Sequence, residues 1–307
     1  MIRTRQINMH IRGGRPVSAD RKIFNAVSFL SITLVGIACL LPFLLILSGS
    51  LTDESSIVSD GYRLIPKVFS VRAYELLVKS PDTLLRAYLV TICLTAAGVA
   101  IGLFLTAMTA YVLLRKDFEW RNIFAFFFFF TTLFSGGLVP WYILMVKYLQ
   151  LKDSPLALLL PGLLSVFNIL LMRNFMKSIP ESVMESSRID GAGDFRTFAG
   201  IVLPLSLPAL ATIGLFIALG YWNEWYNAML FIDNDKLYPL QYYLYRILNS
   251  AQFAFLTAGK ANVRMPQMPS ESFKLTMTVV TTGPIVLLYP FVQKYFIRGI
   301  TIGAVKG

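Results

Sequence analysis

Six stretches of this chain, at 24–47, 84–114, 124–146, 156–175, 209–231 and 275–297, are long and apolar enough to cross a bilayer, because about 20 residues of helix traverse the hydrocarbon core. In lipid every backbone N–H and C=O must find its partner within the protein, which makes helices the expected form of runs this long. The expected fold is an all-α membrane protein with six transmembrane helices. Of the 307 residues 56% are hydrophobic and 15% charged, against about 25% charged in a soluble domain. The first run follows a basic tail, 1–23, with no small-residue cleavage pattern after it, so it is expected to stay as an anchor.

The formal net charge of +11 could suggest nucleic acid, but its distribution points to topology. Placing both termini and the even-numbered loops on one side gathers most of the Lys and Arg there, led by Arg3, Arg5, Arg12, Arg15, Arg21 and Lys22. Basic loops stay cytoplasmic, so the expected orientation is N-in and C-in. The same tail can meet anionic lipid headgroups, and no nucleic-acid partner is expected. Cys39 and Cys93 fall inside apolar runs, where a thiol acts as a small packing group.

With that orientation, 48–83, 147–155 and 232–274 lie outside, and 115–121, 176–208 and the tail 298–307 lie inside. Long connections are usually functional, which draws attention to 48–83, 176–208 and 232–274. Gly98 and Gly102 have the spacing that lets helices approach closely. Gly136, Gly137 and Pro140 interrupt the third run and are expected to kink or break it, as membranes tolerate where neighbouring protein or water satisfies the freed groups.

The sequence holds no Gly-x-x-x-x-Gly-Lys-Ser/Thr phosphate loop and no metal-ligand cluster, and its single histidine, His10, lies in the basic tail. No serine or cysteine sits in a nucleophile motif. The chain is therefore expected to carry no cofactor or catalytic residue of its own.

The inner connection 176–208 reads as two short helices around a glycine turn. Pro180 is expected to pre-set the first turn, Glu181 and Glu185 to favour its positive N-terminal end, and Gly191 and Gly193 to end it. On residues alone, an amphipathic helix resting on the membrane fits as well. The order Glu185-Ser186-Ser187, Gly191, nine residues, then Ile201-x-Leu203-Pro204 resembles the Glu-Ala-Ala-x-x-x-Gly-x9-Ile-x-Leu-Pro loop of binding-protein-dependent ABC importer permeases. Both alanines are serine here, which preserves small size.

That resemblance implies the type I ABC importer transmembrane domain, covering 84–297, with Glu185, Ser186, Ser187, Asp190, Gly191, Ala192, Leu203 and Pro204 as the segment coupled to a separate ATPase. It implies as partners a second, different permease subunit, two ATPases that bind ATP and Mg, and an extracytoplasmic solute-binding protein. The likeness is closest to the maltose-type carbohydrate permeases, and the ending resembles those for complex oligosaccharides. In such relatives the tail, here Gly303, Ala304, Val305, Lys306 and Gly307, reaches the ATPase, and the last outer loop probes the binding protein's sugar cleft.

For the substrate pathway, a continuous fifth helix would place Trp222, Trp225 and Tyr226 on one face and Asn223, Glu224 and Asn227 on the next. Aromatic faces stack on sugar C–H groups while amides and carboxylates bond hydroxyls, and an intramembrane carboxylate such as Glu224 should face protein or water. Asn168 in the fourth run is a further candidate, whereas Arg173 beside Asn174 is read as snorkelling to the surface. An interfacial aromatic belt accounts for the same tryptophans. Alternative classes are a permease for another small solute, an ion-gradient transporter, which would want paired midplane charges, and a scaffold subunit.

Overall fold

The computed structural model describes residues 19–79, 81–261 and 271–304. Helix α1 (Ala19–Ser50) is followed by the short α2 (Glu54–Asp60) and α3 (Arg72–Lys79), then by α4 (Pro81–Leu114). Next come α5 (Arg121–Leu133), α6 (Leu138–Ile143), α7 (Pro155–Leu159) and α8 (Val166–Met176). The connection 176–208 holds α9 (Glu181–Ile189), α10 (Asp194–Thr197) and α11 (Leu203–Leu205). The chain continues through α12 (Leu207–Trp222), α13 (Tyr226–Phe231), α14 (Leu240–Ala261) and α15 (Glu271–Ala304). No β-strand occurs among the described residues; one isolated bridge pairs Thr52 with Phe69.

Two helices, Asp20–Ser50 and Pro81–Leu114, are each long and apolar enough to cross a membrane, and three bent helix pairs pass the same test when each is taken as one span. The breaks have local causes. Arg121–Leu133 and Leu138–Tyr148 meet at 115°, across Gly136 and Gly137; Gly137 has φ +85°, a conformation that suits a residue without Cβ. The fourth run bends by 45° between Pro155–Gly162 and Val166–Met176, just after Pro161.

A further bend of 84° separates Asp194–Leu205 from Leu207–Trp222. Pro208 has no N–H for the Pro204 carbonyl and its ring crowds that oxygen, so the helix restarts after Ser206. Two of the six expected spans are thus bent, and the third bend lies in the connection that leads into the fifth.

The core forms where α4, α8 and α12 meet. Leu94, Ala107, Ala110, Met172, Met176 and Ile213 are buried there with Phe198 and Val202. Along α4 the buried positions include Ala87, Thr91, Leu94, Gly98, Gly102, Thr106 and Ala110, a stripe at three- to four-residue spacing whose residues, Leu94 apart, are small and admit neighbouring helices closely. Gly98 faces Tyr221 and Gly102 faces the Leu163 carbonyl and Ile217, so the close-approach reading of this glycine pair holds. The Tyr221 hydroxyl donates to the Leu159 carbonyl at 2.6 Å, tying α12 to α7.

Helix α15 is anchored at its start by Glu54, whose carboxylate accepts from the backbone N–H groups of Glu271 and Ser272, each at 2.9 Å. A carboxylate there also meets the positive end of the helix. The stretch 232–274 is not the open loop expected from sequence, since α14 occupies 240–261 and α15 begins at Glu271. Leu240 and Tyr242 bury against the core, and the Leu240 N–H donates to Thr91 Oγ1 at 2.8 Å.

Candidate functional site

In the connection 176–208 the sequence builds the expected pair of helices around a glycine. Gly191 has φ +78°, and two hydrogen bonds close the end of α9: Gly191 N–H to the Arg188 carbonyl and Ala192 N–H to the Ser187 carbonyl, each 3.0 Å. This is the Schellman arrangement, which satisfies carbonyls that a helix end leaves free. Pro180 differs from expectation: with φ −58° and ψ 133° it caps α9 from outside, and Glu181 opens the helix. An extended ψ lets the chain leave Ile179 before it turns.

The two serines of the motif divide their work. Ser187 is buried and shares a 2.9 Å hydrogen bond with Thr197 Oγ1, joining α9 to α10. Ser186 is exposed, its hydroxyl donating to the Val183 carbonyl. Glu185, Asp190 and Gly191 are exposed with it. Two apolar side chains missed by the motif stand out on the same segment, Ile189 at 85% and Phe195 at 66% exposure. Leu203 is partly buried, packed on the core, and Pro204 lies exposed at the bend.

Residues 115–117, directly after α4, each pair with one residue of this segment. Arg115 pairs with Asp194, Lys116 with Glu181 at 2.8 Å and Asp117 with Arg188 at 3.6 Å. Arg115 also holds Asp117, its Nε donating to Asp117 Oδ1 at 2.9 Å. The Arg115 hydrogen bond keeps the Asp117 carboxyl down at about 2, and the two carboxylates in turn raise the guanidinium.

The second constellation, in the fifth run, departs from the continuous helix assumed for it. Helix α12 ends at Trp222, and α13 starts at Tyr226 after a turn through Asn223, Glu224 and Trp225. The common aromatic face and the adjoining polar face therefore do not exist as such. Trp222 is buried beside Ala87 and Leu240, its indole N–H directed to the Thr281 carbonyl at 3.4 Å. Asn223 closes α12 by donating from Nδ2 to the Leu219 carbonyl.

Glu224 accepts from the Asn227 backbone N–H at 2.7 Å and from Asn227 Nδ2 at 2.9 Å, so this carboxylate, one residue before the N-cap Trp225, satisfies donors in the first turn of α13. Trp225 and Tyr226 remain exposed. Trp225 packs on Tyr245 of α14, ring centroids 4.9 Å apart. The row continues through Tyr242 and Tyr238 to Arg246, whose guanidinium lies 4.9 Å from the Tyr238 ring centre. Tyr238, Tyr242 and Tyr245 stand at helical spacing, a signal present in the sequence that a loop reading of 232–274 hides.

Asn168 is buried on α8. Arg173 is half-buried with Nε unpartnered, short of the free surface position expected for it. Gly303 and Ala304 close α15, while Val305, Lys306 and Gly307 lie outside the described residues. No cluster of metal-ligating side chains occurs among the described residues.

The family described as "Binding-protein-dependent transport system inner membrane component" matches residues 14–302. The chain is 37% identical over 286 residues to the polygalacturonan/rhamnogalacturonan transport system permease protein YtcP of Bacillus subtilis, covering 93% of this chain and 99% of that one. It is likewise 37% identical over 287 residues to protein LplC of the same organism, covering 93% and 96% of the two chains. Among solved structures it resembles, with a TM-score of 0.79 and 29% identity over 92% of this chain and all of the other, a chain from the crystal structure of a bacterial ABC transporter involved in the import of the acidic polysaccharide alginate. With a family match spanning nearly its whole length, the chain belongs to the binding-protein-dependent transport system inner membrane components, the membrane-embedded permeases of ABC importers.

Proposed function

We propose that this chain is one permease half of an ATP-driven importer that brings an oligosaccharide into the bacterial cytoplasm by alternating access. It crosses the cytoplasmic membrane six times with both termini inside, and pairs with a second, different permease. Two ATPases supply hydrolysis, with ATP and Mg bound on them, and an extracytoplasmic binding protein delivers the sugar.

The observation that carries this reading is the segment 181–204. Its Schellman-closed helix and exposed Ile189 and Phe195 form a compact apolar and acidic knob, suited to a groove on an ATPase. The carbohydrate assignment draws on the relatives, two of which are named for polygalacturonan/rhamnogalacturonan and for arabinooligosaccharides, and on the exposed Trp225, Tyr226 and Tyr245 as stacking surfaces. Trp222, Asn223 and Asn227 then position this surface rather than touch sugar.

The test is reconstitution with the cognate second permease, ATPases and binding protein in proteoliposomes. ATP-dependent uptake is measured for a panel of oligogalacturonides, rhamnogalacturonan fragments, alginate oligomers, arabino-oligosaccharides and maltodextrins. Sugar-stimulated ATP hydrolysis by at least one member is the expected result. Purification of the chain without any ATPase, together with no response to the whole panel, would defeat the reading.

A further inference from the structure

The junction between α4 and the segment α9–α10 opens to the surface on one side. A cavity of about 400 Å³ lies there, bounded by Met108, Tyr111 and Phe118 on one side and Phe195 and Phe198 on the other, with Arg115 on its wall. Close-packed interiors transmit displacement because no atom can move without its neighbour. Across this open pocket that route is weakened; beside it Phe198 packs on Tyr111 and Phe104 within the buried core, and the ion pairs of residues 115–117 span its rim.

Those pairs are unequal. Lys116 and Glu181 are 74% and 57% exposed, where water and salt weaken an ion pair to little. Arg188 stands 3.6 Å from Asp117, beyond a good hydrogen bond. Arg115 is different in kind. Its side chain is 19% exposed although its partner Asp194 is 59% exposed, and one guanidinium serves both Asp117 in its own turn and Asp194 at the first residue of α10. The planar fork fixes direction as well as distance, which a lysine point charge does not. Arg115 also follows immediately on Leu114, the last residue of α4, so whatever the guanidinium holds is held to that helix.

We propose that Arg115 is a positioning residue, a clamp that makes the inner end of α4 follow the α9–α10 segment when that segment is displaced. The proposal rests on reading 176–208 as the ATPase-coupled segment. Without the clamp the segment can shift across the open pocket, and less of its displacement reaches α4 and the core around Gly98 and Tyr221.

The test uses the complete complex in proteoliposomes, with Cys39 and Cys93 replaced by alanine and spin labels on two cysteine pairs, 119 with 182 and 59 with 182. Distances are measured without nucleotide and after trapping with ATP and vanadate. With Arg115 present, the 59–182 separation is expected to change on trapping while 119–182 stays constant. In Arg115→Ala the 119–182 separation should change as well. Uptake of an oligogalacturonide mixture, or of whichever panel sugar is carried, should fall roughly fivefold or more per ATP hydrolysed, the low end of coupling between sites, with ATP hydrolysis retained.

Arg115→Lys should recover part of that ratio, and Asp194→Asn should reproduce the loss. A residue that only stabilised the fold would lower yield and ATP hydrolysis together and leave the ratio unchanged. An unchanged 119–182 separation and unchanged uptake per ATP in Arg115→Ala would overturn the clamp while leaving the coupling reading standing. A 59–182 separation that ignores nucleotide in the parent complex would overturn both.

Discussion

The ring of Tyr221 fills the space that any side chain at position 98 would need: a Cβ built on Gly98 falls 2.1 Å from Tyr221 Cε2, and one on Gly162 falls 2.9 Å from Cζ. Gly98→Ala must therefore push the ring or the helix, a cost of about 1–3 kcal/mol for an overpacked site. Thermal unfolding in detergent should show a clear fall in midpoint for Gly98→Ala. Gly98→Ala combined with Tyr221→Ala should lose less than the two separate losses added together, because each change relieves the other. Strict additivity would mean that the helices do not meet there.

Removing only the Tyr221 hydroxyl leaves the notch filled and the Leu159 carbonyl without its donor. Tyr221→Phe should cost about 1 kcal/mol, as for one hydrogen bond, and spare the packing. A loss as large as that of Tyr221→Ala would show that the hydroxyl, not the ring, secures α12.

Gly191 is held at φ +78°, where an L side chain crowds the following carbonyl at about 1–2 kcal/mol. Gly191→Ala should weaken the Schellman end of α9 and speed amide exchange of residues 190–192. Gly191→Asn should be milder, since asparagine tolerates this region. Equal protection in both variants and the parent would remove the turn as the reason for a glycine.

Glu224 holds the first turn of α13 through two bonds from Asn227, so Glu224→Ala should destabilise by about 1 kcal/mol, the usual size of a lost hydrogen bond. If instead the melting midpoint holds and uptake disappears, Glu224 contacts the transported solute directly.

Asp117 titrates below its ordinary value of 3.8, at about 2, chiefly through its hydrogen bond from Arg115. For a depressed carboxylate the favourable interaction is fully present above 3.8 and fades as the pH falls through about 2. The 119–182 separation should accordingly be flat between roughly pH 5 and 8. A transition in that window would mean that another group governs the junction.

Much of this architecture is legible in the residues because it is written locally. The apolar runs give the long helices, Gly136–Gly137 with Pro140 gives the break in the third run, and the spacing from Glu185 to Pro204 gives the helix–turn–helix of 181–204. What escapes reading has non-local causes. The break at 223–225 contains neither glycine nor proline and depends on a carboxylate reaching three residues forward. Helix α14 has no long apolar run, and its stability comes from burying Leu240 and Tyr242 against elements distant in sequence. Ser187 looks like a spare small residue until Thr197, ten positions later, is seen beside it. The partners of residues 115–117 are invisible to pattern, since they lie in another connection altogether.

Helix α4 is unlike the jointed spans around it. Its 34 residues run unbroken from Pro81 to Leu114, a rod of about 51 Å at 1.5 Å per residue, well beyond the roughly 30 Å of hydrocarbon. A rod of that length is stiff where its neighbours, the segments 121–148, 155–176 and 194–222, are bent. A tilt of a few degrees about Leu114 becomes ångströms of travel about 35 Å away at 1.5 Å per residue, where Thr91 meets Leu240. With Arg115 as the proposed grip, α4 acts as a lever arm between the α9–α10 segment and α14.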